Sequence, residues 1–192
     1  MKNEIVSLAP GISLIPVRLG DAEALASLVA ANVRHLDTYM PKVATLNTRE
    51  AAAAYLASAL AIIAEGELFE WHIFSGQQLC GAVRINHIER DDRKASVGYY
   101  LGAQYQGRGL ATMALRAMLE FAFERLDLNR IELRCASENL ASQRVAQRLG
   151  FAWEGLLRQA ELIDGVYHDH FVHALLREDF DARAADELKQ AA

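Results

Sequence analysis

The stretch ASVGYYLGAQYQGRGLATMAL, residues 95–115, decides how this chain is read. Residues 95–101 read as a strand, whereas the segment from Leu110 is mainly apolar and helix-forming. Between them lie Gly107 and Gly109, at the point where the helix begins. The first four N–H groups of a helix lack internal partners, and the aligned peptide dipoles make that end partly positive. Glycines let a ligand approach those N–H groups closely, so the turn is suited to an anion, and a phosphate above all.

Outward from this turn the chain reads as alternating elements. Upstream, a strand over 12–17 precedes a helix from Asp21, as cap, to about Asn32. Asn47 and Glu50 resemble a capping pair at the head of an alanine-rich helix that ends near Gly66. Strands over 69–74, 79–88 and 95–101 follow, with a turn at Ser75-Gly76 and a charged one at 89–94. Downstream, the helix after the glycine turn extends to about Leu126, and residues 131–136 alternate as a half-buried strand. Asn139 caps a short helix ending at Gly150, and strands over 151–161 and 168–177 flank a hairpin signal at Asp164-Gly165. The order β-α-α-β-β-β-α-β-α-β-β predicts a mixed α/β domain over 1–177, followed by a charged tail over 178–192.

Composition limits the classes of function. The 192 residues are 52% hydrophobic and 23% charged, an ordinary globular balance long enough for one core. A formal charge of −5 argues against nucleic acid as the main partner, since phosphate backbones bind basic faces. Cys80 and Cys135 form no metal-like spacing and no disulfide framework, which suits a reducing cytoplasm. The longest uncharged run, 51–64, is too short to span a membrane, and Glu4, Pro10 and Pro16 break up any leader-like segment.

Three phosphate-binding patterns compete for the turn. The P-loop pattern GxxxxGK[ST] has no match in the chain. The dinucleotide pattern GxGxxG meets Thr112 where its third glycine or alanine belongs, and the turn lies after a strand meander instead of opening a βαβ unit. The pattern Q/R-x-x-G-x-G/A is satisfied by Gln106, Gly109 and Ala111. With the following strand RIELRCASEN (130–139) and helix LASQRVAQRLGF (140–151), the chain resembles the GCN5-related N-acetyltransferases (GNAT). NLASQRVAQRLGFAWEGLLRQAELIDGVYHDHFVHALL (139–176) is similar to the RimL/RimJ branch, which acetylates N-terminal amines of ribosomal proteins. The shared pieces are N-x-x-S-x-x-V-A, G-F followed by E-G, L-x-Q-A-E and Y-x-D.

That resemblance implies a GNAT fold, with a single, mostly antiparallel central sheet flanked by helices, and acetyl-CoA as co-substrate. The pyrophosphate of the coenzyme would take hydrogen bonds from the backbone of Gln106, Gly107, Arg108, Gly109, Leu110 and Ala111. Asn139 would bond the pantetheine arm, and backbone N–H groups near Tyr100 and Leu101 would meet the oxyanion. Acetyl transfer to an amine needs a base for the amine and an acid for the departing thiolate. Glu161, in L-x-Q-A-E, is implied as the base acting through water, and Ser142, in N-x-x-S, as the acid and a cofactor contact. Ser142 could alternatively serve only the helix start. Many GNAT enzymes use a tyrosine acid at the position held here by Ala146, so that route is closed.

His168 and His170 share a strand face while His173 points to the other, a pattern that fits ordinary polar residues better than a metal site. Tyr167 and Asp169 match Y-x-D and would shape an acceptor pocket. The reading is an N-acetyltransferase whose acceptor is a primary amine, first a protein N-terminus. The alternatives are a small amine acceptor (a polyamine, an aminoacylated toxin or an antibiotic) and a non-catalytic acyl-CoA sensor. No metal, nucleic acid or membrane is expected, and a homodimer is compatible with the sequence.

Overall fold

The computed structural model of the chain describes residues 4–191. Its strands are β1 (Val6–Ala9), β2 (Ile12–Pro16), β3 (Phe69–Ser75), β4 (Gln78–Glu89), β5 (Lys94–Leu101), β6 (Arg130–Ala136), β7 (Ala152–Ile163) and β8 (Val166–Leu176). The helices are α1 (Ala22–Ala30), α2 (Val33–Asp37), α3 (Pro41–Ala44), α4 (Arg49–Glu65), α5 (Leu110–Glu124), α6 (Leu140–Leu149) and α7 (Arg177–Ala191). The strands form one sheet in the order β1-β2-β3-β4-β5-β6-β8-β7. It is mostly antiparallel, with β5 parallel to β6. The expected mixed α/β order therefore stands, with β1, α2, α3 and α7 added to it.

Two compact units can be distinguished. One runs to Asn86 and takes in Gly98–Met118; the other comprises His87–Val97 and the chain from Leu119 onward. In the first, α1 and α4 bury a face each: Leu25, Leu28 and Val29 from α1, and Ala52, Leu56 and Ala59 from α4, at the three- and four-residue spacing that lines one side of a helix. They pack with Val17, Phe74, Leu79, Ala82 and Tyr100. In the second, Phe123 packs on Phe180 of α7, with ring centroids 5.2 Å apart, so the charged tail is a helix with an aromatic anchor. No helix among the described residues is long and apolar enough to cross a membrane.

Pro10-Gly11 turns β1 back on β2 as an antiparallel hairpin. Local expectations are corrected at two places. The cap of α4 is Thr48, whose hydroxyl accepts the Ala51 N–H at 3.2 Å, one residue after the expected Asn47. Asp21 precedes α1 but makes no side-chain cap. Its carboxylate instead accepts from Arg18 at 2.8 Å and lies 2.9 Å from Nδ1 of the fully buried His72. Burial alone would raise the Asp21 carboxyl; the hydrogen bonds and charges of His72 and Arg18 outweigh it and hold the carboxyl below its ordinary value.

Candidate functional site

The glycine turn belongs to the first unit. After β5 the chain makes one 3-10 turn, Ala103–Tyr105, and then reaches Gly107 at φ 72° and Gly109 at φ 76°. Both are left-handed, a region that glycine occupies without steric cost. A Cβ built on either would meet no atom within 4 Å, so the outer side of the turn is open. The Met113 N–H bonds to the Gly109 carbonyl at 3.0 Å and opens the helical ladder. The preceding N–H groups, Leu110–Thr112, therefore have no intrahelical partner and face the helix mouth. Gln106 differs from the rest of the loop, because its N–H bonds back to Ala103 at 3.2 Å.

Residues distant in sequence hold this loop. Asn32 Oδ1 accepts the Ala103 N–H at 2.8 Å, while its Nδ2 donates to the Leu28 carbonyl at 2.8 Å. The Gln106 and His35 side-chain nitrogens lie 3.1 Å apart. The Arg108 guanidinium sits 5.9 Å over the Tyr105 ring, a cation–π contact that keeps it beside the loop. Asn32 carried no sequence signal beyond ending one predicted helix, and His35 carried none, since their partners are 71 residues away.

Tyr100 and Leu101, at the end of β5, are buried. The Tyr100 carbonyl abuts Gly81 of β4, and the Gly102 N–H bonds to the Cys80 carbonyl at 2.9 Å. Strand alternation then turns the Leu101 N–H to the side away from β4. The ladder of β5 with β6 covers Lys94–Val97, and β5 continues past it to Leu101. The Tyr100 phenol is held well above its ordinary pKa by burial first, then by the nearby Glu70 charge and Tyr55.

The second unit carries Asn139, Ser142 and Glu161. Asn139 caps α6: its Oδ1 accepts the Ser142 N–H at 3.1 Å. The bond uses the carbonyl oxygen, so a cap and a ligand bond from the NH2 group are compatible. Ser142 is buried, and its side chain hydrogen-bonds Cys135 of β6. Burial pushes the Cys135 thiol up, and the Ser142 hydrogen bond offsets part of that rise. Ala146, at the place of the family's tyrosine, is fully buried.

Glu161 lies on β7 opposite His168, and its Oε2 is 3.2 Å from His170 Nε2. Asp169 faces the β7 backbone, where its Oδ1 accepts the Gln159 N–H at 2.7 Å. Asp164-Gly165 forms the expected tight turn, both residues having positive φ. His173 is buried on the other face, and burial lowers its pKa. Among the described residues no group of three or more His, Cys, Asp or Glu side chains could hold a metal.

Comparison with known proteins adds the following. Residues 12–152 match the family model described as acetyltransferase (GNAT) domain. The Bacillus subtilis protein YdaF is 34% identical over 103 residues, covering 54% of this chain and 56% of YdaF. An Escherichia coli ribosomal-protein-serine acetyltransferase is 35% identical over 102 residues, covering 53% of this chain and 57% of that enzyme. The chain thus spans little more than half the length of these relatives. Among solved structures, RimL, a ribosomal α-N-protein acetyltransferase in complex with coenzyme A as a cysteine disulfide, superposes with a TM-score of 0.86 at 27% identity, covering 90% of this chain and 98% of RimL.

Proposed function

We propose that this chain, which belongs to the acetyltransferase (GNAT) domain family, transfers the acetyl group of acetyl-CoA to a primary amine, the α-amine of a protein N-terminus. The observation that carries this reading is the open glycine turn, whose unpartnered N–H groups end on a helix mouth with nothing within 4 Å of either glycine Cβ position. This is where a pyrophosphate can be taken by several donors at once. The relatives named for ribosomal-protein acetylation support a protein acceptor. The free thiols of Cys80 and Cys135 suit a cytoplasmic setting.

In this reading Gly107 to Ala111 supply backbone donors to the pyrophosphate, with Arg108 adding a charge. The Gln106 N–H bonds the Ala103 carbonyl, so in this reading Gln106 serves the coenzyme by holding the loop, its side chain lying 3.1 Å from His35. The Asn139 NH2 group bonds the pantetheine arm. The Leu101 N–H, directed away from β4, is the donor for the oxyanion. An α-amine has a pKa of about 7.7–8.0 and is mostly protonated at neutral pH, so it must lose a proton before attacking. Glu161 accepts that proton through water, and Ser142 gives one to the sulfur as the C–S bond breaks.

Thiol release from acetyl-CoA, measured on a panel of amines, tests this. The panel holds peptides beginning with Ser, Ala and Met, together with spermidine and an aminoglycoside. Turnover on the Ser or Ala peptides is expected to exceed that on the small amines. Turnover on small amines alone would transfer the function to that class. Saturable coenzyme binding with no turnover on any acceptor would leave a sensor.

A further inference from the structure

We infer that Asp169 is a positioning residue for Glu161, an inference that rests on the proposed role of Glu161 as base. The register of the late hairpin is broken next to Glu161. Leu156 pairs with Phe171 and Leu157 with His170, but the next pair is Glu161 with His168. Three residues of β7, 158–160, therefore stand opposite the single Asp169. Had the ladder run on without a bulge, Glu161 would have faced Val166. The two extra residues draw it back along β8 by two positions, roughly 6–7 Å. A shift of two residues leaves Glu161 on the face shared by His168 and His170 and moves it along that face, where it lies 3.2 Å from the His170 imidazole.

The bulge needs a residue in the left-handed region, and Gln159 supplies it at φ 52°, where a side chain is disfavoured. Asp169 offsets that cost. Its carboxylate accepts the Gln159 N–H at 2.7 Å, a short, charge-assisted bond. Its own carbonyl accepts the Ser137 N–H at 2.8 Å, and the Ser137 carbonyl accepts the Gln143 side chain at 2.8 Å. One residue thus clamps the bulge that carries the base and ties it to the loop leading into Asn139 and Ser142. Asp169 needs no contact with substrate to do this.

The test compares Asp169→Ala, Asp169→Asn, Glu161→Gln and the double variant Asp169→Ala/Glu161→Gln in kcat, peptide KM, coenzyme affinity and Tm. Asp169→Ala is expected to lower kcat by about 100-fold, the scale of a misplacement near 1 Å. Coenzyme affinity stays as in the wild type. Asp169→Asn keeps an acceptor oxygen for Gln159 and stays within a few-fold of wild type. The double variant is no slower than Glu161→Gln alone, because the clamp acts only through the base. If Asp169→Ala does not fold, Asp169→Val, which also lacks an acceptor and favours a strand, carries the same comparison. A wild-type rate for Asp169→Ala, or losses that multiply in the double variant, would overturn the inference while sparing Glu161. Full activity of Glu161→Gln would overturn the base and the inference together.

Discussion

Glu161→Gln is expected to cut kcat for α-amine acetylation by about 10²–10⁴-fold, the usual contribution of a positioned general base. Coenzyme affinity should be unchanged, because the proposed coenzyme contacts do not include this side chain. The substitution keeps the shape of the residue and removes only its capacity to take a proton. Glu161 is half-exposed on a strand edge, and by itself that is an ordinary place for a glutamate. The bulge beside it, the clamp from Asp169 and the 3.2 Å approach of His170 are not ordinary. Pre-steady-state measurement of acetyl transfer to a Ser-initiated peptide separates the chemical step from product release. A variant that transfers at the wild-type rate would remove Glu161 from the mechanism.

The second large effect is on stability. Gly81 pairs with Ile73 across β3 and β4, and its other side meets the neighbouring end of β5. A Cβ there would collide with the Tyr100 carbonyl and come within 2.9 Å of Leu101 Cα. Backbone cannot rotate away as a flexible side chain can, so the strands would have to part. Gly81→Val is expected to cost about 3 kcal/mol, the upper end of ordinary overpacking. The denaturation midpoint in urea reads this directly. An unchanged midpoint would mean that β5 gives way at little cost. The Leu101 N–H, which the proposed reaction needs in place, would then not be held by close strand contact.

Signals carried by a few adjacent residues were legible in the sequence. The glycine turn, the Asn139 cap and the Asp164-Gly165 hairpin each depend on local dihedral preference or local hydrogen bonding, and each occurs where the residues predicted it. The capping residue of α4 was one position off because Asn47 and Thr48 are both competent caps, and only the direction of the entering chain decides between them. What was not legible depends on partners far along the chain. Asp21 looks like a helix cap until His72, 51 residues later, is folded against it. Asn32 looks like a helix end, and His35 like an ordinary loop residue, until the loop at 103–106 lies on them. The β7 bulge is hidden because residues 158–160, Arg-Gln-Ala, include no glycine or proline to mark it, and only the β8 register reveals the extra residues. Glu161 was singled out by its motif, but the bulge beside it and the Asp169–Gln159 bond were not.

Mapping the acetylated atom tests the central claim most directly. The substrate is a peptide that begins with Ser and carries an internal lysine. It is incubated with enzyme and acetyl-CoA, and the product is sequenced by tandem mass spectrometry. The account predicts a single acetyl group on the α-amine, with the lysine unmodified. Acetyl on the lysine side chain, or thiol release with an unmodified peptide, would contradict it.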